Sequence, residues 1–243
     1  MRAMYPRFSL LIVLLFGPFA CQNNTRQLPP DAIPPSNSEK VARSFDEFKG
    51  SSSSSGFEDL VADYESKDRV IWQKPDLVIS LLNGLEGKTV ADIGAGTGYF
   101  AFRLVPKAKK VIAVDIDPRF IDFMDSIKVR LPEAYQRRFE TRLAKPNNPM
   151  LAPEEVDAVI VVNTYGYLRQ RVPYLKILLA GMKPQATLLV IDFKKNSLPI
   201  GPSNEFKVAL IDVMRELEAA GFQITQVDQE SLDYQYIVIA QKP

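Results

Sequence analysis

Residues 88–99 read KTVADIGAGTGY, and this stretch decides the fold. The β-branched Thr89, Val90 and Ile93 suit the pleated, half-buried surface of a strand, so a short strand is expected over 88–93. It runs straight into Gly94, Gly96 and Gly98, with Asp92 just before them. Glycine lets a chain turn tightly and lets a ligand approach the backbone with no side chain in the way. The next strand, KVIAVD at 110–115, ends in Asp115, seventeen residues after Gly98. In an open α/β sheet, ligands bind beyond the carboxyl ends of the strands where strand order reverses. An acid at that end can accept hydrogen bonds from both hydroxyls of a ribose. A glycine turn alone is often only structural; turn and acid on successive strands together point to a nucleoside.

The rest of the chain extends the same alternation. Leu77 to Leu82 is apolar on one helical face and stops at Asn83-Gly84. Helices are expected over 99–105, closing at Pro106, and from Pro118 to about Arg130 with Asp117 as its cap. Further strands follow at 138–143, 156–162 and 187–192, with a helix over 174–182 stopped by Lys183-Pro184. An amphipathic helix at 205–220 closes at Gly221, and strands at 222–227 and 234–240 finish the chain. Continuous apolar strands separated by helices imply a mostly parallel sheet covered on both faces. The last two strands are too close for a parallel crossover, so they are expected to pair antiparallel.

A dinucleotide would need the turn to hold a pyrophosphate, usually with G-x-G-x-x-G spacing. Here glycines alternate and Asp92 sits beside them; its charge repels a pyrophosphate but suits an α-amino group. Val90 to Tyr99 resembles motif I of class I S-adenosylmethionine-dependent methyltransferases, and Val114-Asp115-Ile116-Asp117 their acidic ribose motif. Val156-Asp157 through Asn163 is similar to their fourth-strand motif. Leu178 through Pro184, with Ala186 to Asp192, resembles the helix and strand that follow it. Trp72 to Pro75, WQKP, resembles a group of bacterial members with those residues ahead of motif I.

The resemblance implies an α/β, Rossmann-like class I methyltransferase sandwich: a mostly parallel seven-stranded sheet, a C-terminal antiparallel strand pair, and helices on both faces. S-adenosylmethionine is the implied cofactor, its methyl group passing to an acceptor by in-line displacement. Asp92 and the backbone of Gly94 to Gly98 would hold the methionine part, Asp115 the ribose, and Ile116 the adenine face. Ile93, Ala95, Tyr99 and Asn163 fall against the same ligand by that resemblance. Where an acid often meets the adenine amine, this chain has Asn147 and Asn148, whose carbonyls accept more weakly.

On the acceptor side the candidates are Asn163, Tyr165, Tyr167 and Asp192, at strand ends or just beyond; structural roles are open as well, Tyr165 and Tyr167 covering the cofactor and Asp192 capping or pairing with Lys194 or Lys195, and no catalytic residue is singled out. Similar chains carry histidines after the fourth strand and in the loop after the fifth. Here those places read Gly166-Tyr167 and Ser203-Asn204-Glu205-Phe206. The loop 196–204, with Pro199, Gly201 and Pro202, is expected to shape the acceptor pocket.

Composition bounds the chemistry. The 243 residues include no histidine and one cysteine, Cys21, which removes the usual neutral-pH base and any internal disulfide; no metal site is expected. A net charge of +1 gives no sign of nucleic acid as a partner. Arg2 and Arg7, an apolar run from Phe8 to Phe16, and Gly17 through Cys21 form an export-signal pattern, too short to span a bilayer. The lone cysteine after Ala20 resembles the lipid-attachment site of a bacterial lipoprotein. The expected organisation is a signal at 1–21, a polar Pro- and Ser-rich tether at 22–56, in which residues 41–48 are transiently helical, and a methyltransferase domain at 57–243. Membrane anchoring on the exported side of the envelope follows from that reading, with cytoplasmic residence as the alternative. Two functions stay open: methyl transfer to a small-molecule or lipid-like acceptor, or a membrane-anchored scaffold that keeps the cofactor-binding fold without turnover.

Overall fold

The computed structural model describes residues 54–243. The export segment, Cys21, and residues 22–53 of the expected tether, including 41–48, lie outside the described residues. Among the described residues no helix is long and apolar enough to cross a membrane.

Three helices precede the sheet: α1 Ser54–Tyr64, α2 Arg69–Gln73 and α3 Pro75–Ser80. The strands are β1 Thr89–Ile93, β2 Lys110–Asp115, β3 Phe139–Leu143, β4 Val156–Val162, β5 Met182–Phe193, β6 Gln223–Asp228 and β7 Gln235–Gln241. Helices α4 Ala101–Leu104, α5 Pro118–Lys128, α6 Glu133–Gln136, α7 Arg171–Gly181 and α8 Leu210–Ala220 connect them. The sheet order is β3-β2-β1-β4-β5-β7-β6. Strands β1 to β5 pair parallel, and β7 inserts antiparallel between β5 and β6. The seven-stranded sandwich and the antiparallel final pair are as expected from the spacing.

Burial follows position in the sheet. Residues Val90 to Ile93 of β1 and Gln235 to Ala240 of β7 are buried on both faces, whereas β6 at the edge is largely exposed. One face packs Val90, Val111, Ile160 and Leu189 against Val78, Leu82, Leu104 and Met124. The other packs Ala91, Ile112, Val159 and Val190 against Leu175, Leu178, Val213 and Leu217. Alternate residues of one strand therefore feed two apolar layers, which explains why its sequence is a continuous apolar run. Strand order reverses between β1 and β4, and the crevice there opens at the carboxyl ends.

Several boundaries differ from the sequence reading. Helix α1 begins at Ser54, inside the stretch read as tether. Helix α7 starts at Arg171 and gives way directly to β5 at Met182, so Lys183 and Pro184 belong to the strand. Pro184 fits there because the register jumps from Met182 to Thr187, leaving an irregular stretch that asks no ladder hydrogen bond of its missing N–H. Helix α8 starts at Leu210: Glu205 lies in a single 3-10 turn, Asn204–Phe206, and the extended chain after it buries Lys207 and Val208. Asp117 caps α5 as expected, its Oδ1 accepting from the Arg119 amide at 2.9 Å.

Candidate functional site

The turn after β1 is held from below. The amides of Gly94 and Ala95 both donate to the Val114 carbonyl, at 2.8 and 3.0 Å, and Gly98 N–H closes back on Ala95 O at 2.9 Å. Gly94 and Gly96 are left-handed, with φ of +71° and +55°. A Cβ on Gly94 would lie 2.3 Å from Thr164 Oγ1, and one on Gly96 3.1 Å from the Tyr64 ring. Glycine is thus required twice over, by backbone sign and by the side chains that close on the turn. Asp115 ties β2 to the same turn: its Oδ2 accepts from Gly96 N–H at 2.8 Å and its Oδ1 from Asp117 N–H at 3.0 Å. Burial pushes its carboxyl up against those two amides, which favour the charged form. Each oxygen keeps a further lone pair for hydroxyl donors.

Two cavities meet at the turn. The larger, about 380 Å³, has Val114, Asp115 and Ile116 on one wall, Leu60 and Tyr64 of α1 across it, and Ala144 to Pro146 at its end. Ile116 is 52% exposed at this mouth, an apolar side chain with its face free for a planar group. The smaller, about 160 Å³, is bounded by Arg69, Trp72, Phe193 and Ile200 to Pro202. Tyr64, Gly94, Gly96, Asn163, Thr164 and Tyr167 line both. The expected residues Ile93, Gly94, Gly96, Asp115, Ile116 and Asn163 therefore border the larger cavity, and Ala95 the smaller. Asp92, Gly98, Tyr99 and Asn147 stand outside both linings. Gly98 supports the turn, where a Cβ would strike the Phe102 ring at 2.6 Å, and Asn147 follows Pro146 directly.

Asp92 lies under the turn, 3% exposed. Burial raises its carboxyl to about 7, opposed by the nearby Arg69 charge and the Ala101 amide. Tyr99 is also buried, its ring between the guanidinium groups of Arg69 at 3.9 Å and Arg103 at 3.7 Å.

Asn163 ends β4 with φ +57°, and a closed set of amides holds it. Its Nδ2 donates to Gln73 Oε1 at 3.1 Å, Gln73 Nε2 donates to Gln235 Oε1 at 2.7 Å, and Gln235 Nε2 donates back to Asn163 Oδ1. Gln73 and Gln235 are wholly buried. Sequence reading missed both, together with Tyr64, Arg69 and Thr164. An isolated Gln or Arg carries no spacing signal; only the WQKP resemblance touched one of them. Tyr64 stacks on Phe120 of α5, ring centroids 5.6 Å apart, which fixes α1 across the larger cavity.

On the acceptor side, Tyr165 turns away, its hydroxyl donating to Glu216 at 2.8 Å beside the Arg171–Glu216 ion pair. Tyr167 faces both cavities and stacks on Phe206 at 5.3 Å, so the two places where similar chains carry histidines are in contact. Asp192 is 2% exposed and borders neither cavity. Its Oδ2 accepts from Gly166 N–H at 3.1 Å, which fixes the turn carrying Tyr167; burial raises its carboxyl to about 6. The loop residues Ile200, Gly201 and Pro202 do reach the smaller cavity.

A family model described as a methyltransferase domain matches residues 91–198. No curated protein matches the sequence. Among solved structures, a SAM-dependent methyltransferase from Aquifex aeolicus is 25% identical, with a TM-score of 0.71 over 76% of this chain and 98% of its own. A TehB-like SAM-dependent methyltransferase from Corynebacterium glutamicum shares 13% identity, with a TM-score of 0.61 over 79% of this chain and all of its own (100%). The matched domain is a methyltransferase domain, and the fold is that of S-adenosylmethionine-dependent methyltransferases. S-adenosylmethionine is the cofactor which that domain and fold imply.

Proposed function

We propose that this chain transfers a methyl group from S-adenosylmethionine to a small-molecule or lipid-like acceptor that enters through the smaller cavity. One observation carries the reading: a nucleoside-sized cavity with Asp115 in its wall and an aromatic-walled cavity share the glycine turn as lining. Asp115 would hold the ribose hydroxyls, Ile116 and Phe120 would face the adenine, and Ala144 to Pro146, with Asn147 next to them, would close that end. Ile93 and the turn backbone from Gly94 to Gly96 would lie along the remainder of the cofactor, with Gly98 supporting the turn, Asp92 beneath it and Tyr99 behind. When bound, the cofactor supplies an electrophilic methyl on a sulfonium. The chain's own part is positioning and exclusion of water, for which no strong base is needed when the acceptor atom is itself nucleophilic. Asn163, held by its amide partners, is the polar group where the cavities join. Trp72, Tyr64, Tyr167, Phe193 and Ile200 form the apolar part of the smaller cavity, whose lining also holds Asp63 and Arg69, and that part suits an apolar portion of the acceptor.

The same proposal places the domain at a membrane, through a lipidated Cys21 and a polar tether. Calorimetry of the full-length chain with S-adenosylmethionine and its demethylated product tests the cofactor site, and absence of binding to both would sink it. Labelled-methyl transfer to lipid and small-molecule extract fractions tests the acceptor class; label found only in protein or RNA would refute it. Fractionation with Cys21→Ser tests the anchor, since a domain soluble in both forms would remove it.

A further inference from the structure

Helix α2 is built inside out. Its polar residues are the inner ones: Gln73 is wholly buried among the amides, and Arg69 rests on the Tyr99 ring while donating to the Tyr64 carbonyl and to Gln73 Oε1. Its β-branched residues are the outer ones, Val70 at 52% exposure and Ile71 at 73%. Water disfavours that arrangement, since a surface helix ordinarily turns its apolar side chains inward. Val129 and Ile211 are comparably exposed, at 69% and 61%. Val129, however, sits between Lys128 and Arg130, and Ile211 beside Asp212, and single exposed apolar residues need no partner. On α2 two adjacent ones share a five-residue helix, and the same helix walls the smaller cavity with Arg69 and Trp72.

Chemistry and position name the partner. The exposed charges flanking α2 are Lys67, Asp68, Lys74 and Asp76; they cancel, so the surface neither seeks nor repels an ionic partner. Two side chains make too small a face for a stable protein interface, which buries on the order of 800 Å² on each side, but they suffice for a contact that a second attachment supports. The sequence supplies such an attachment. Residues 8–16, FSLLIVLLF, carry no charge and follow Arg2 and Arg7, a composition that partitions into lipid. That segment lies outside the described residues; the chain enters the described fold at Ser54, and α1 and α2 are the first elements it builds.

We infer that the outer face of α2 rests on a lipid bilayer, with Val70 and Ile71 entering its surface, and that this contact brings the wall of the smaller cavity to where an acceptor's apolar portion leaves the lipid. The inference rests on the lipid-like acceptor and membrane attachment proposed above.

Cys21→Ser makes the full-length chain free of cysteine, so one environment-sensitive thiol label can be placed by Ile71→Cys, Val129→Cys or Ile211→Cys. On phosphatidylcholine vesicles the label at position 71 should shift to the blue and be quenched by nitroxide-bearing lipid at least about fivefold more than the other two, as a face buried in the headgroup boundary requires. Val70→Ser with Ile71→Ser in the same background should weaken vesicle binding by about 10- to 100-fold, the scale of two partly inserted aliphatic side chains. Calorimetry with S-adenosylhomocysteine should change by less than about threefold in that double variant, as surface substitutions on an intact fold allow. A label at 71 as wet as the other two on vesicle-bound chain, or a chain that binds no vesicles, would overturn the inference. A label that dries without vesicles as protein concentration rises would overturn it in favour of a second copy of the chain. Failure of the acceptor reading is distinct: the label at 71 dries on vesicles, yet no labelled methyl enters lipid.

Discussion

Replacing Asp92 by asparagine should stabilise the fold above neutral pH while weakening the cofactor site. Asp92 is 3% exposed, and its carboxyl rises from the ordinary 3.8 to about 7, chiefly through burial. At roughly 1.4 kcal/mol per pH unit, the ionised form carries a penalty of about 4 kcal/mol in the folded state. The sign follows from proton linkage: between about pH 4 and pH 7 the folded chain binds this proton more tightly than the unfolded chain, so stability falls as pH rises across that window. The amide side chain of D92N has nearly the same shape and can still accept from the Ala101 amide, but does not titrate. The stability of D92N minus that of wild type should therefore be near zero below pH 4, grow through the window, and level off at a few kcal/mol above pH 7. Urea unfolding of both full-length proteins at half-unit pH steps measures this difference directly. Over the same range wild type should gain affinity for S-adenosylmethionine as Asp92 ionises, and D92N should not. Parallel stability curves differing by less than about half a kcal/mol at every pH would show that Asp92 is not held against its own ionisation, and the reasoning would be wrong.

Gly94→Ala combines a φ of +71° with a Cβ 2.3 Å from Thr164 Oγ1, and should lose about 1–3 kcal/mol by thermal unfolding; adding Thr164→Ala should restore part of it. Gln235→Leu leaves Gln73 Nε2 and Asn163 Oδ1 without their partners in a buried site. A loss of about 1–3 kcal/mol in urea unfolding is expected, whereas a neutral outcome would show the amides to be hydrated rather than closed on each other. Asp192→Asn should show the D92N pattern over a narrower window, from about pH 4 to pH 6, with a smaller gain above it, because burial raises Asp192 only to about 6.

The fold was legible because burial on both faces leaves a continuous apolar run. Residues 156–162 had to be a central strand, and β4 occupies those residues. What failed was punctuation. Lys183-Pro184 reads as a helix stop, but the helix has already ended at Gly181 and the strand begins at Met182, and the register jump that admits the proline has no local signature. Glu205 fits the amphipathic period of α8, yet burial of Lys207 and Val208 holds the preceding chain extended. Tertiary packing overrides periodicity wherever a segment of only a few residues is at stake.

The candidate site divides along the same line. Asp92, Gly94, Gly96 and Asp115 sit within one strand–turn–strand unit, so their spacing encodes their geometry. Arg69, Gln73, Asn163 and Gln235 come from three distant parts of the chain and converge only when α2 packs on the carboxyl end of β4 and the start of β7. Nothing in the spacing of a lone Gln or Arg forecasts that meeting. The local half can be read from spacing alone, and the half assembled from distant residues only from the folded chain. Tyr167 on Phe206 is the sharpest case. An aromatic stack there offers enclosure rather than proton transfer. On the reading proposed above, the acceptor atom would be nucleophilic without help from this pair, and the pair's part would be to keep water from the place where the cavities join.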